Sequence, residues 1–145
     1  MQLLVVGDLH ITPDNLDETE FLLERLLTLI EDHPDIVSVV FMGDTLDRFQ
    51  THDGFCVKAA DVIFRGVAKV RNIIILIGNH DIPHHRDYMS SVHAFLGYHG
   101  VPGITVIDAS AKVITIQNVN ILCVPYAPKG RFREAMATGF SSDQN

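Results

Sequence analysis

The sequence predicts an α/β fold in which a parallel sheet is built first and a second, smaller sheet follows. Strand-like stretches at 3–6, 36–42 and 72–77 each stop at a glycine followed by an acid or an amide: Gly7-Asp8, Gly43-Asp44 and Gly78-Asn79. Two longer segments with helical periodicity lie between them. Strands that are apolar throughout belong to sheets covered on both faces, which favours parallel βαβαβ units with right-handed connections. After residue 103 the apolar stretches draw closer together, as antiparallel strands joined by short turns do.

Each element has its own justification. Residues 3–6 form a buried strand because an apolar run is halted by glycine and aspartate. From 17 to 32, Phe21, Leu22, Leu26, Leu29 and Ile30 recur on one helical face, with acids in the first turns where the helix dipole favours them. Residues 36–42 repeat the first strand. A second helix is predicted over 53–70 around Val57, Ala60, Phe64 and Val67, and a third strand over 72–77. Past Ser90 a short helix to about Tyr98 is expected. The stretches 105–107, 112–117 and 120–124 read as antiparallel strands of a second sheet, with Asn118 in a hairpin turn between the last two. One domain is expected over 1–137, followed by a flexible polar tail over 138–145.

Composition excludes several classes. The 145 residues are 47% hydrophobic and 20% charged, which suits a globular core and rules out disordered, collagenous and coiled-coil chains. Apolar runs fall far short of the roughly 18 residues that a membrane span requires, so neither a membrane nor a secretory route is expected. Cys56 and Cys123 both sit in apolar surroundings and read as buried reduced thiols, which fits a cytoplasmic setting. The net charge of −7 is not that of a basic nucleic-acid-binding surface. Of the 18 acids 13 are aspartate, a residue suited to loops, caps and metal sites, and they concentrate where the motifs lie.

Every predicted parallel strand ends in a polar cluster: Asp8-Leu9-His10, then Gly43-Asp44-Thr45-Leu46-Asp47-Arg48, then Gly78-Asn79-His80-Asp81. Open α/β sheets place functional groups at the carboxyl ends of their strands, so the three clusters should meet in one crevice. Asp8 and His10, two apart in an extended segment, can reach one ion. Gly43 lets the backbone turn before Asp44, whose two oxygens can bridge two cations, and Asn79 adds a neutral amide oxygen. Oxygen-rich ligands with one or two histidines suit Mn, Fe or Zn, and paired ions about 3.5–4 Å apart are the usual device for phosphoester hydrolysis. Each motif alone is ordinary turn chemistry; three in this order, each at a strand end, are not. A dinucleotide site is disfavoured because no Gly-x-Gly-x-x-Gly follows the first strand.

These blocks resemble the calcineurin-like metallophosphoesterases, whose pattern is Asp-x-His, Gly-Asp-x-x-Asp and Gly-Asn-His-Asp or Glu in this order. The resemblance implies a two-sheet sandwich flanked by helices, with its second sheet incomplete in this chain. It also implies a two-metal centre, with manganese first and iron or zinc as alternatives. Asp8 and His10 would bind the first ion, Asp44 would bridge, and Asn79 would bind the second. His80 would face the substrate phosphate or leaving group and Asp47 would hydrogen-bond His80. Arg48 takes the place of a phosphate-gripping arginine, although Phe49 stands where the family's protein phosphatases have glycine, and His52 is expected at the cleft border.

Later segments narrow the resemblance. Val-Ile-Asp at 106–108, Val-Pro-Tyr at 124–126 and Gly-Arg-Phe-Arg-Glu-Ala at 130–135 are similar to SbcD-like DNA repair nucleases of phages and large DNA viruses. That branch continues to a separate His and a Gly-His-x-His, neither of which occurs in these residues. On the matched motifs alone the second ion has two protein ligands, Asp44 and Asn79. His84, His85, His93 and His99 read as surface or helix-packing histidines. A phosphodiesterase acting on DNA or RNA is therefore expected, with an ATPase partner or self-association; a truncated non-catalytic metal-binding or partner-binding remnant, or a phosphomonoesterase, is the alternative.

Overall fold

The computed structural model describes residues 1–47 and 53–141. The chain opens with strand β1 (Gln2–Val6), helix α1 (Leu16–Asp32), strand β2 (Ile36–Phe41), helix α2 (Gly54–Ala68) and strand β3 (Asn72–Leu76). Strands β4 (Ile104–Ile107), β5 (Lys112–Ile116) and β6 (Val119–Cys123) follow, and helix α3 (Phe132–Ser141) closes the described chain. Strands β1 to β4 form one parallel sheet in sequence order, and β5 and β6 form a two-stranded antiparallel sheet.

Local chemistry accounts for the elements. Thr12 and Asn15 form a reciprocal capping box around Pro13, and Asp17 and Glu18 occupy the first turn of α1. Asp53 caps α2 by accepting the Phe55 N–H at 2.7 Å. Between β5 and β6, Gln117 and Asn118 both have positive φ, as a two-residue hairpin turn of the right twist requires.

Strand alternation divides the core. Val39, Phe41, Ile73, Ile75 and Val106 face the α1–α2 layer, where Phe64 stacks edge-on against Phe41 and Phe95. On the opposite face Val40, Ile74, Leu76 and Ile107 meet Ile114, Ile116 and Ile121 of the hairpin, with Cys123 buried among them. Helix α3 docks on this hairpin: a Cβ at Gly139 would strike the Leu122 side chain at 2.6 Å. Val5, registered against Val40, is 57% exposed, so the hairpin layer does not reach over β1. Cys56 and Cys123 are buried thiols rather than a disulfide, and no helix among the described residues is long and apolar enough to cross a membrane.

Three expectations are corrected. The strand predicted at 105–107 does not belong to the antiparallel sheet; β4 pairs parallel with β3, Ile73 opposite Ile104 and Leu76 opposite Ile107, and serves both core faces. The helix expected from Ser90 to Tyr98 is absent, leaving only a 3₁₀ turn at Leu96–Tyr98. Side chains take the backbone donors a helix would need: Ser90 Oγ accepts the Val92 N–H and His93 Nδ1 accepts the Phe95 N–H. Finally, α3 runs through Thr138, where a tail was expected to begin. The Thr138 hydroxyl ties the helix to the hairpin layer by accepting the Ala111 N–H at 2.9 Å.

Candidate metal centre

Two glycines bring the strand ends together. Gly43 has φ +94°, and a Cβ there would lie 2.7 Å from the Cα and N of Gly78. A Cβ at Gly78 would in turn strike the backbone N and Oδ1 of Asp44. With no side chain on either, the loops after β2 and β3 pack backbone to backbone. His10 and Asp44 adopt left-handed backbone, φ 43° and 48°, a conformation that non-glycine residues rarely hold without support. Support comes from the His10 N–H donating to the Asp44 carbonyl at 3.0 Å and the Ile11 N–H donating to the Thr45 carbonyl at 2.9 Å.

This frame gathers His10, Asp44, Asp47, Asn79 and His80. Asp44 Oδ1 accepts the His80 N–H at 2.9 Å. The Asn79 amide lies against the same carboxylate; turned with its NH₂ toward Asp44 it would donate to Oδ2 at 3.0 Å with Oδ1 at 3.3 Å, and the opposite orientation presents its oxygen. One ligand atom from each of His10, Asp47 and His80 falls within 4.8 Å of the others, and the two imidazoles meet edge to face at 4.9 Å. Asp8 is exposed at the end of β1 and lies outside that group. Arg48 and His52 lie outside the described residues.

Asp47 departs from its expected contact. His80 Nδ1 donates to the backbone carbonyl of Asp47 at 2.6 Å, not to its carboxylate. A carbonyl only accepts, so the His80 Nδ1 carries the proton of that bond. The Asp47 carboxylate instead approaches His10 Nδ1 to 3.3 Å. That contact lacks the alignment of a hydrogen bond, and His10 Nδ1 is a buried nitrogen with no hydrogen-bond partner. An unpartnered imidazole nitrogen beside the Asp47 carboxylate and a second imidazole suits a divalent cation, so the donor set fits a metal.

Sequence reasoning passed over two buried carboxylates. Asp81 is fully buried; its Oδ1 accepts the Leu46 N–H at 3.1 Å and its Oδ2 the Gly78 N–H at 2.9 Å, clamping the two ligand loops together. Burial pushes its pKa up, and the backbone donors only partly offset this, leaving it at about 6. Asp108, at the end of β4, is the polar residue at a fourth strand end, a position that should have marked it. Its Oδ2 receives His93 Nε2 at 3.1 Å and His99 Nε2 at 2.8 Å. His93 is a buried partner, not a surface histidine.

The His93–His99–Asp108 group has metal-like spacing but is already satisfied. His93 Nδ1 accepts the Phe95 N–H, so its Nε2 carries the proton given to Asp108 and neither nitrogen has a lone pair left for a cation. Burial also lowers the His93 pKa, so a neutral imidazole donates to an ionised carboxylate and the pair is not a charged one. For Asp108, burial raises the pKa, but the Ala109 N–H and the two imidazoles together outweigh it and hold the group at about 2. An acid with a depressed folded pKa stabilises the fold above its unfolded value near 3.8, and this is lost as pH falls toward 2. Asp108→Ala is accordingly expected to cost roughly 2–3 kcal/mol at pH 7 and to flatten stability against pH between about 4 and 2. Urea unfolding of both proteins across that window checks it.

The pattern of the family described as calcineurin-like phosphoesterase matches residues 1–136. Among curated proteins the chain is 26% identical over 138 residues to "Putative phosphoesterase 078R" of Invertebrate iridescent virus 3, an alignment covering 95% of this chain and 39% of that protein. It is 29% identical over 138 residues to "Putative phosphoesterase 244L" of Invertebrate iridescent virus 6, covering 93% of this chain and 47% of that protein. The chain thus spans less than half the length of either relative. A match over residues 1–136, joined to a parallel sheet whose strand ends carry His10, Asp44, Asn79 and His80, shows that the chain belongs to the calcineurin-like phosphoesterase family.

Proposed function

We propose that this chain is a metal-dependent phosphodiesterase acting on nucleic acid through a two-metal centre. The observation that carries the reading is the unpartnered His10 Nδ1 beside Asp47 and His80, in the same cluster as the Asp44–Asn79 pair. In this reading Asp8 and His10 hold one ion, Asn79 the other, and Asp44 both. The Asp47 carboxylate, so close to His10, is a further ligand or an anchor for that imidazole. Bound divalent cations supply Lewis acidity at the phosphoryl oxygens. The protein adds what the ions do not. The Asp47 carbonyl fixes the His80 ring so that Nε2 can exchange a proton with the leaving oxygen, and Asp81 keeps the loops carrying Asp44 and Asn79 at a fixed separation. Manganese is the expected metal, with iron or zinc as alternatives.

The preference for nucleic acid over a monoester is supported by the SbcD-like segments at 106–108, 124–126 and 130–135. Metal analysis and turnover together test the reading. The manganese-loaded chain is expected to hydrolyse bis(p-nitrophenyl) phosphate at least about tenfold faster, in kcat/KM, than p-nitrophenyl phosphate. A reversed ratio would assign a monoesterase. Bound manganese with no hydrolysis of either compound would make the chain a metal-binding module.

A further inference from the structure

Outside the metal cluster, one surface combines charge and exposed rings in a way the fold does not require. Sixteen of the 18 acids precede residue 125, whereas residues 126–133 contain Lys129, Arg131 and Arg133 and no acid. The segment starts at the cleft: the Tyr126 N–H donates to the carbonyl of Ile77, the residue before Gly78-Asn79-His80, at 2.8 Å. The Tyr126 ring is tilted against that of His85 at 5.9 Å, and the phenolic oxygen lies 3.3 Å from His85 Nδ1. Residues 84–86, His84-His85-Arg86, are all exposed and belong to the loop that leaves the site after Asp81. The two segments therefore border the same end of the sheet.

Phe132 is the telling residue. It is 55% exposed between two exposed arginines, so its ring is open to a ligand that the neighbouring charges can also hold. Cations alternating with accessible rings match a single strand of nucleic acid, whose phosphates take the charges and whose unstacked bases take the ring faces. A duplex hides its base faces and a phosphorylated peptide has no bases to stack, so neither uses Phe132. The Arg131–Glu134 pair at 2.7 Å is solvent-exposed, and a phosphate can replace Glu134 as the partner.

We propose that Arg86, Tyr126, Lys129, Arg131, Phe132 and Arg133 form a track that holds single-stranded nucleic acid beside the metal centre; the proposal rests on the phosphodiesterase reading above. The track gives the strand its affinity and direction, and the metal cluster supplies the chemistry.

Fluorescence anisotropy of a labelled 12-nucleotide oligothymidine, measured with EDTA so that nothing is cut, tests this against a series of salt concentrations. Arg131→Ala is expected to weaken binding and to reduce the log–log salt slope by about 0.7, the value for one phosphate contact on a single strand. Phe132→Ala should weaken binding about fivefold or more without changing the slope, as loss of stacking does. Arg131→Lys should restore most of the slope. Both residues are exposed, so thermal melting should be unchanged, and hydrolysis of bis(p-nitrophenyl) phosphate should match the unsubstituted protein. Oligothymidine binding indifferent to all three substitutions, or tighter binding of duplex than of single strand, would overturn the track. If the unsubstituted chain fails to hydrolyse the small diester while these substitutions still weaken oligothymidine binding, the diesterase reading falls and the track stands as a binding surface.

Discussion

Asp44→Ala is expected to lower manganese affinity by more than about 100-fold, past the 10- to 100-fold typical of losing a residue that only supports a ligand. No other side chain in the cluster has as many duties. Its Oδ1 orients the His80 backbone, its Oδ2 holds the Asn79 amide, and its own carbonyl fixes His10 in left-handed backbone. Alanine keeps only the last of these. It removes the carboxylate that reaches from the loop after β2 to the His80 N–H, so both halves of the centre lose a negative charge and Asn79 loses a neighbouring carboxylate. Asp44→Asn separates the effects: an amide oxygen can still accept the His80 N–H, so the loop should stay in place while the charge is gone. Manganese titration of Asp8→Ala, Asp44→Ala, Asp44→Asn and Asn79→Ala orders the contributions. Affinity in Asp44→Ala within about tenfold of the unsubstituted protein would remove Asp44 from the bridging position.

The meeting of His10, Asp44, Asn79 and His80 was legible in the sequence because each follows an apolar strand, and a parallel sheet aligns such ends by construction. Gly43 and Gly78 could be read as turn residues but not as a pair. Their mutual packing depends on register between loops 35 residues apart, and no local pattern encodes that. The same limit explains Asp47. The family resemblance implied a hydrogen bond from Asp47 to His80, whereas the loop turns the Asp47 carbonyl there and sends the carboxylate toward His10. The strand β4 was misassigned because its crossover from β3 contains no α-helix, so a short β-branched run followed by two hairpin strands looked like a third member of the hairpin set. The side-chain bonds of Ser90 and His93 that abolish a helix there are themselves local, and a run of Ser-Ser-Val-His should have lowered the expectation. His93 itself was unreadable, because its partner Asp108 is 15 residues away on a strand not yet assigned to the sheet.

His80→Asn is expected to leave metal binding within about tenfold of normal and to lower diesterase turnover by roughly 100-fold or more, the usual scale for loss of a general acid–base group. Geometry separates His80 from the ligands in a way that composition cannot. Its ring is held through Nδ1 by the Asp47 carbonyl at 2.6 Å, so a backbone group orients it, and in the proposed reading Nε2 is the atom that exchanges the proton. Asparagine can still donate a hydrogen bond but cannot exchange a proton near neutral pH, so a binding role would survive the substitution while a proton-transfer role would not. Asp47→Asn sharpens the comparison. If the carbonyl is what orients His80, this variant keeps the ring in place, and any defect should appear in metal affinity through His10, 3.3 Å from the lost charge, rather than in turnover at saturating manganese. Leaving groups add a second readout: loss of a proton donor is felt most with a poor leaving group, so His80→Asn should fall further behind on an alkyl diester than on a nitrophenyl one. Metal content in His80→Asn reduced as far as in Asp44→Ala would make His80 a ligand and assign the proton transfer elsewhere.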